Sequence, residues 1–535
     1  MKFAQKVSDR IKREWVQSLN YRRIYSLAES VKKSALANPA ARPVLVFNAS
    51  TRLQGLSLNA AFSLLTSLGV QLAGTPVIHY VCKGGLSHCV LGTDNQDVRV
   101  SPPCRLCIQN SRKIFASQDN RWFEYSKNPE LESNLQNLTL TQLIDYQYEG
   151  CPYGELVLPS LRWILRCHHL QDDEPTRWLA REYILSAASL LGDFRAFLEK
   201  VEPQAVVVFN GMFYPEAVVR WLSNQNGIPV VSHEVGMQPF SAFFTHGDAT
   251  AYPLQLPRGF SLTPGMNAQL DDYLSRRFLG DFVTAGIKFW PEMHELGQGF
   301  WQKIKPFKQF VPIFTNVVFD TSQAHANVLF PDMFAWLDEI LRTIPAHPET
   351  LFIIRAHPDE LRPGKESRES VAQWVRQNKV DSMKNVIFIN SNEMISSYEL
   401  IEHAKFVMVY NSTVGLEAAI KGKPVLCAGK ARYTQMETVF FPESIRKFQD
   451  LFSKFLSVEE ISVPPVFIEN ARKMLYGHLF LASLPFDEWI ESDGVWNGFV
   501  SVKDFPLERL HPQHSSTVKI LVDGILHQQD FLLKP

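Results

Sequence analysis

Nowhere in its 535 residues does this chain carry an apolar run near the ~18 residues that cross a bilayer as a helix. The opening segment, Met1 to Lys33, also lacks the unbroken apolar core of a secretory leader, because Arg10, Lys12, Arg13 and Glu14 interrupt its apolar residues. Net charge is nearly absent: 54 Lys and Arg against 55 Asp and Glu leave a formal −1. Bulk charge therefore attracts no polyanion, nucleic acid is not an expected partner, and any phosphate site must be local. Seven cysteines, an odd number, do not make a secreted disulfide framework. No internal repeat or low-complexity tract is present. The expectation is a soluble, cytoplasmic protein. Its first segment is basic, through Lys2, Lys6, Arg10, Lys12, Arg13, Arg22, Arg23, Lys32 and Lys33. That segment reads as a solvated helix face, with peripheral contact at the inner face of a membrane as the alternative.

What is there is an ordinary globular composition, 45% hydrophobic and 20% charged, long enough for two or three domains. Short Val- and Ile-rich runs alternate with helical stretches. Val44–Phe47, Thr75–Tyr80, Pro203–Phe209 and Ile228–Ser232 read as strands in the first half. Helices are expected over Leu56–Leu68, Asn128–Asp145, Ser160–His169, Leu179–Lys200 and Glu216–Asn224. In the second half, strands are expected at Phe310–Phe314, Leu351–Arg355, Val386–Ile389, Phe406–Tyr410 and Pro424–Ala428. Helices separate them at Met333–Thr343, Glu369–Asn378, Ser396–His403 and Val414–Lys421. Alternation of this kind builds parallel sheets covered on both faces. The division expected is a helical segment 1–40, a Rossmann-like domain 41–300 with a cysteine-containing insertion, a second such domain 301–490, and a tail 491–535. The boundary falls near Trp290 to Phe307.

The strongest local signal is Phe406 to Tyr433, FVMVYNSTVGLEAAIKGKPVLCAGKARY. A buried strand delivers Asn411, Ser412 and Thr413 to the start of a helix, with Gly415 where a close approach to backbone amides is needed and Glu417 in its first turn. Helix starts of this composition hold phosphates. The pattern fits equally an ordinary capped helix, with Ser412 or Thr413 as the cap and Glu417 as the capping-box acid. The second signal is Arg355-Ala-His357-Pro358-Asp359-Glu360 at the end of another strand. Open α/β sheets bind ligands outside that edge, so the two loops share a cleft.

With RAHPDE ahead of it, the run Ser396 to Ile401 (SSYELI) followed by YNSTVGLEAAIKGKPVLCAGKARY resembles, in order and spacing, the capsule-polysaccharide biosynthesis family. That family includes transferases of 3-deoxy-D-manno-octulosonic acid (Kdo). Phe209-Asn210-Gly211, GIPVVSHEVG with Glu234 and Gly236, and Thr315-Asn316 to Asp320 are similar to further segments of the family. The resemblance implies an α/β, GT-B-like fold, two Rossmann-like doubly wound domains facing a central cleft. It implies a glycosyltransferase moving a nucleotide-activated sugar, CMP-Kdo among the donors, to a saccharide or lipid-linked acceptor of surface-polysaccharide assembly. By the same resemblance Ser412, Thr413 and Gly415 face donor phosphate with His357, and Glu417 meets the ribose. Alanine at His357 or Glu417 is then expected to abolish donor binding with the fold intact. The chain departs from the family at Met212, where a basic residue is usual, and in its first 200 residues.

Sugar transfer needs a base at the acceptor hydroxyl, or a nucleophile, and positive charge at the leaving phosphate. Glu234 is the first candidate base, His233 the second and Asp320 the third. Arg355, Lys430, Arg432 and Tyr433 can supply contacts to the leaving group, with no metal required for catalysis. Cys82, Cys89, Cys104 and Cys107, spaced C-x6-C, C-x14-C and C-x2-C, suit a structural zinc, with buried free thiols as the alternative. His168 and His169 fall at the end of an expected helix, where neighbours point apart, and read as ordinary. Two other classes stay open: an epimerase or polyol-phosphate transferase of similar fold, and a non-catalytic assembly factor.

Overall fold

The computed structural model describes residues 2–35, 38, 41–278 and 294–534, with side chains from residue 12 onward. The basic Lys2, Lys6 and Arg10 side chains, and the boundary expected from Trp290 as far as residue 293, lie outside the described residues.

The strands of the first half are β1 (Val44–Asn48), β2 (Leu56–Ser57), β3 (Val77–Cys82), β4 (Asn120–Phe123), β5 (Ala205–Phe209), β6 (Val230–Val235) and β7 (Ser241–His246). Those of the second half are β8 (Gln309–Phe314), β9 (Thr350–Arg355), β10 (Val386–Ile389), β11 (Val407–Val409) and β12 (Val425–Cys427). Near the end come β13 (Leu484–Pro485), β14 (Ile490–Ser492) and β15 (Phe499–Val502). A seven-stranded sheet has the order β13-β7-β6-β5-β1-β3-β4, with β7 antiparallel to both its neighbours and every other pair parallel. A wholly parallel five-stranded sheet has the order β10-β9-β8-β11-β12.

Every residue of β1 and of β9 is buried. Runs such as VLVFN and TLFIIR take this form because helices cover both faces of a parallel sheet and leave no polar side to alternate toward. Each sheet accordingly has a separate apolar cluster on either face. The result is two α/β domains with parallel sheets, a GT-B-like arrangement as the resemblance implied. Among the described residues no helix is long and apolar enough to cross a membrane.

The chain does not finish in the second domain. β13 pairs with β7, and β15 pairs with β2. Phe486, Trp489, Val518, Leu521 and Ile525 are buried in one cluster with Phe62, Leu65 and Leu68 of the helix Leu58–Leu72. Asn20 of the first helix ties the same region down, donating to the Val500 carbonyl at 3.0 Å and accepting from the Val502 amide at 2.8 Å. Residues 491–535 are thus a wall of the first domain, a role their mixed pattern did not reveal. The opposite exchange occurs at the helix Pro264–Phe278, whose Leu270 and Leu274 are buried with Met474 and Leu416 of the second domain.

Candidate functional site

Four loops leave the carboxyl ends of β8, β9, β11 and β12 and meet at one cavity of ≈340 Å³. The first brings Asn316 and Asp320, the second His357, the third Asn411, Ser412 and Thr413, and the fourth Lys430 and Arg432. Thr250 and Pro253, which follow β7, face them. Parallel strands point their carboxyl ends the same way, so loops distant in sequence converge at that edge.

His357 lies at the sharp turn made by Pro358. Its Nδ1 accepts the Asp359 amide at 3.1 Å, which leaves Nε2 as the N–H donor of a neutral ring. Burial holds its pKa below the usual histidine value. Asn411 is fixed by Asn316, whose amide donates to Asn411 Oδ1 at 2.8 Å. The Arg432 guanidinium stacks over the Tyr252 ring, 4.1 Å from its centre.

Several expected residues build this loop from behind and do not line it. A Cβ on Gly415 would come within 2.4 Å of the Tyr433 hydroxyl, so glycine is required there for packing. Tyr433 is fully buried and donates to the Ser412 carbonyl at 2.8 Å. Arg355, also buried, donates through Nη1 to the Asn390 carbonyl at 2.8 Å, and burial lowers its pKa to about 10. Glu417 is 5% exposed and is held away from the cavity. Its Oε1 accepts from Arg277 Nε at 2.6 Å and its Oε2 from the Tyr398 hydroxyl at 2.7 Å. This changes the expected effect of mutation. Glu417→Ala deprives a buried guanidinium of this carboxylate, a loss that costs about 3–5 kcal/mol. A large fall in the urea midpoint is expected, against almost none for Glu443→Ala, whose ion pair is with exposed Lys447.

Glu234 and His233 are neighbours on β6 and so point to opposite faces. His233 is fully buried among Phe62, Phe209 and Phe244, with Nε2 2.8 Å from Ser63 Oγ, and burial lowers its pKa to about 3. It is a core histidine and not a base, because the strand turns it away from the cleft. Glu234 accepts from Asn210 Nδ2 at 2.9 Å. Burial raises its pKa, and the charge of Asp320, from the other domain, adds to the rise. Asp320 itself lines the cavity and accepts the Ser322 amide and hydroxyl at 2.9 and 2.7 Å.

Two features escaped the sequence reading. Asp248 Oδ2 lies 3.0 Å from His325 Nε2, a pair formed by one residue after β7 and another in the helix Gln323–Ala326. Glu216, in the first turn of the helix Tyr214–Gln225, lines a second cavity of ≈480 Å³ with Asn48, Asn59, Ser63 and Lys365. Burial raises its pKa to about 8. In sequence it looks like any acid at a helix start. The folded value lies above the ordinary carboxyl value, so its cost is absent below pH ~4.5 and complete above pH ~8, at about 1.4 kcal/mol per unit. Stability should therefore fall as pH rises through that window. Glu216→Gln is expected to flatten the fall, raising the denaturation midpoint at pH 8 and leaving it nearly unchanged at pH 4.5.

Cys82, Cys89, Cys104 and Cys107 line one apolar cavity of ≈450 Å³ with Leu86 and Ile108, and all are free thiols. Burial raises Cys82 to about 12, and also raises Cys89 and Cys104. The four do not gather into a metal-sized group. Among the described residues the group that does is His168, His169 and Asp332.

The two domains, and the polar cavity at the carboxyl edge of the second sheet, define a GT-B-like protein. Residues 302–438, a quarter of the chain, match the family model described as capsule polysaccharide biosynthesis protein. This match covers the RAHPDE and YNSTVGLEAAIKGKP segments from which the resemblance was read. Protein FixF of Sinorhizobium fredii (strain NBRC 101917 / NGR234) is 29% identical over 276 residues, covering 49% of this chain and 57% of FixF. The chain thus spans little over half of that relative's length. Among solved structures, the beta Kdo 2,4 transferase of Thermosulfurimonas dismutans KpsC aligns with a TM-score of 0.34 and 14% identity. It covers 52% of this chain and 80% of that one. The beta Kdo 2,7 transferase of the same KpsC gives 0.30 and 16%, over 54% and 81%.

Proposed function

We propose that this protein is a glycosyltransferase of surface-polysaccharide assembly, holding a nucleotide-activated sugar at the cavity between its domains. One observation carries the reading: His357, Lys430 and Arg432 converge with Asn411, Ser412 and Thr413 on one cavity from separate strand ends. A neutral imidazole N–H, two cations and short polar side chains are what a phosphate ester leaving a sugar needs. The match to the capsule-biosynthesis family over this segment supports the same reading.

In this reading Lys430 and Arg432 take up charge as the sugar–phosphate bond breaks, and His357 Nε2–H hydrogen-bonds a phosphate oxygen. The acceptor, a saccharide or lipid-linked saccharide, enters from the first domain, where Glu234 takes the proton of its attacking hydroxyl. Burial and Asp320 raise the proton affinity of Glu234 above that of an ordinary carboxylate, which makes it a better base. The protein acts on the cytoplasmic side.

A thermal-shift screen against CMP-, UDP- and GDP-sugars tests this. The correct donor at 100 times its Kd stabilises the native state by about 2.7 kcal/mol, a rise of several degrees. Donor hydrolysis or transfer should follow for that nucleotide alone. No shift with any nucleotide sugar, together with no hydrolysis, would remove the reading.

A further inference from the structure

His168 and His169 are not on a helix. The helix Tyr153–Leu165 ends because Arg166 adopts a left-handed conformation at φ 59°, and the histidines follow in an irregular loop. Freed from helical geometry, the two rings stand with centres 5.0 Å apart at 80° to one another. That loop meets the second domain. Asp332 is the N-cap of the helix Met333–Thr343, and its Oδ1 accepts the amides of Phe334 and Ala335 at 2.7 and 3.0 Å. Its Oδ2 lies 3.3 Å from His169 Nε2. Glu369 grips the other side: Oε1 is 2.6 Å from His169 Nδ1, while Oε2 accepts the amides of His168 and His169 at 2.8 and 3.0 Å. One ligand atom each from His168, His169 and Asp332 falls within 4.8 Å of the others.

We propose that His168, His169 and Asp332 bind a divalent transition-metal ion of the zinc class at the junction of the two domains, with Glu369 orienting His169. Two imidazoles and a carboxylate form a borderline donor set that suits Zn2+ and is poor for Mg2+ or Ca2+. A carboxylate on the far nitrogen of a ligating histidine is the usual device for fixing its ring, and Glu369 provides it. With the Nδ1 proton given to Glu369, Nε2 faces Asp332 Oδ2, and either a proton or a metal ion must stand between them. Ligands about 2.05 Å from a tetrahedral ion stand ~3.4 Å apart, close to the 3.3 Å between Nε2 and Oδ2. Asp332 Oδ1 is already committed to its helix, which leaves Oδ2 to serve. Arg162, one of the cations beside the loop, has its Nε committed to the His168 carbonyl at 3.0 Å. The ion joins a loop of the first domain to a helix start of the second, so binding holds the two together.

The test titrates chelator-stripped full-length protein with Zn2+ by calorimetry and with Co2+ by absorption. About one equivalent is expected per chain, without the strong near-ultraviolet band of thiolate ligation. Glu369→Gln should weaken binding roughly 10- to 100-fold. His168→Ala/His169→Ala should abolish it, while Cys104→Ser/Cys107→Ser leaves it unchanged. Asp332→Asn keeps an oxygen for the helix cap, so its loss of Zn2+ affinity with unchanged circular dichroism would not reflect misfolding. Two results overturn the proposal. One is absence of Zn2+ binding to the wild-type protein, which leaves a proton on His169 as the link. The other is binding that survives loss of both histidines.

Discussion

Replacing His357 with alanine is expected to weaken nucleotide-sugar binding roughly 10- to 100-fold with little change in stability. The ring occupies a turn outside the sheet, where its Nδ1 accepts the Asp359 amide. In the proposed reading its contribution to the donor is a single N–H to a charged oxygen, and such bonds are worth about 1.5–3 kcal/mol, or about one to two factors of ten. Calorimetric titration of the donor found by thermal shift measures the effect, with circular dichroism as the check on folding. Wild-type affinity in His357→Ala would mean that the phosphate lies elsewhere and that the convergence of the four loops is incidental.

The second large effect concerns turnover. Glu234→Gln keeps the shape and the Asn210 contact but cannot accept a proton. Loss of a general base costs roughly 10²- to 10⁴-fold in kcat, and donor affinity should stay within about twofold because the side chain belongs to the other domain. The pH profile adds an independent check. The base works only when ionised, so wild-type activity should fall as pH drops through the pKa of Glu234. Burial places that limb above the range of an ordinary carboxylate. The variant's residual activity should lack the limb. Full activity in Glu234→Gln would pass the role to Asp320.

The parallel sheets could be read from the chain because strands buried on both faces leave continuous Val, Ile and Phe runs. β5, β6, β9 and β10 lie within two residues of expectation at each start. The convergence of His357 with Asn411, Ser412 and Thr413 could be read for a related reason: loops at one edge of a parallel sheet must meet. What stayed hidden depended on partners far away in sequence. The carboxylate of Glu417 is claimed by Arg277, 140 residues earlier, so the acid that looked like a ribose ligand is spent on an ion pair. Gly415 and Tyr433 pack against each other and not against the cavity. His233 could have been set aside from the sequence, because strand neighbours cannot both face a cleft. The helix expected over Ser160–His169 stops at Leu165 because a single left-handed residue, Arg166, ends it, and no local pattern announces that at an arginine.

The stitching of Asn20 to Val500 and Val502 spans 480 residues. During synthesis, the domain begun first therefore waits for a segment made about 480 residues later. Until Phe486 to Phe531 have left the ribosome, the apolar flank around Phe62, Leu65 and Leu68 lacks the part of its cover that Phe486, Trp489, Val518, Leu521 and Ile525 supply. The second domain, nested inside this span, can fold while the first remains unfinished. A chain truncated near residue 480 should consequently carry one finished domain and one with an exposed apolar flank, and draw chaperones to the latter.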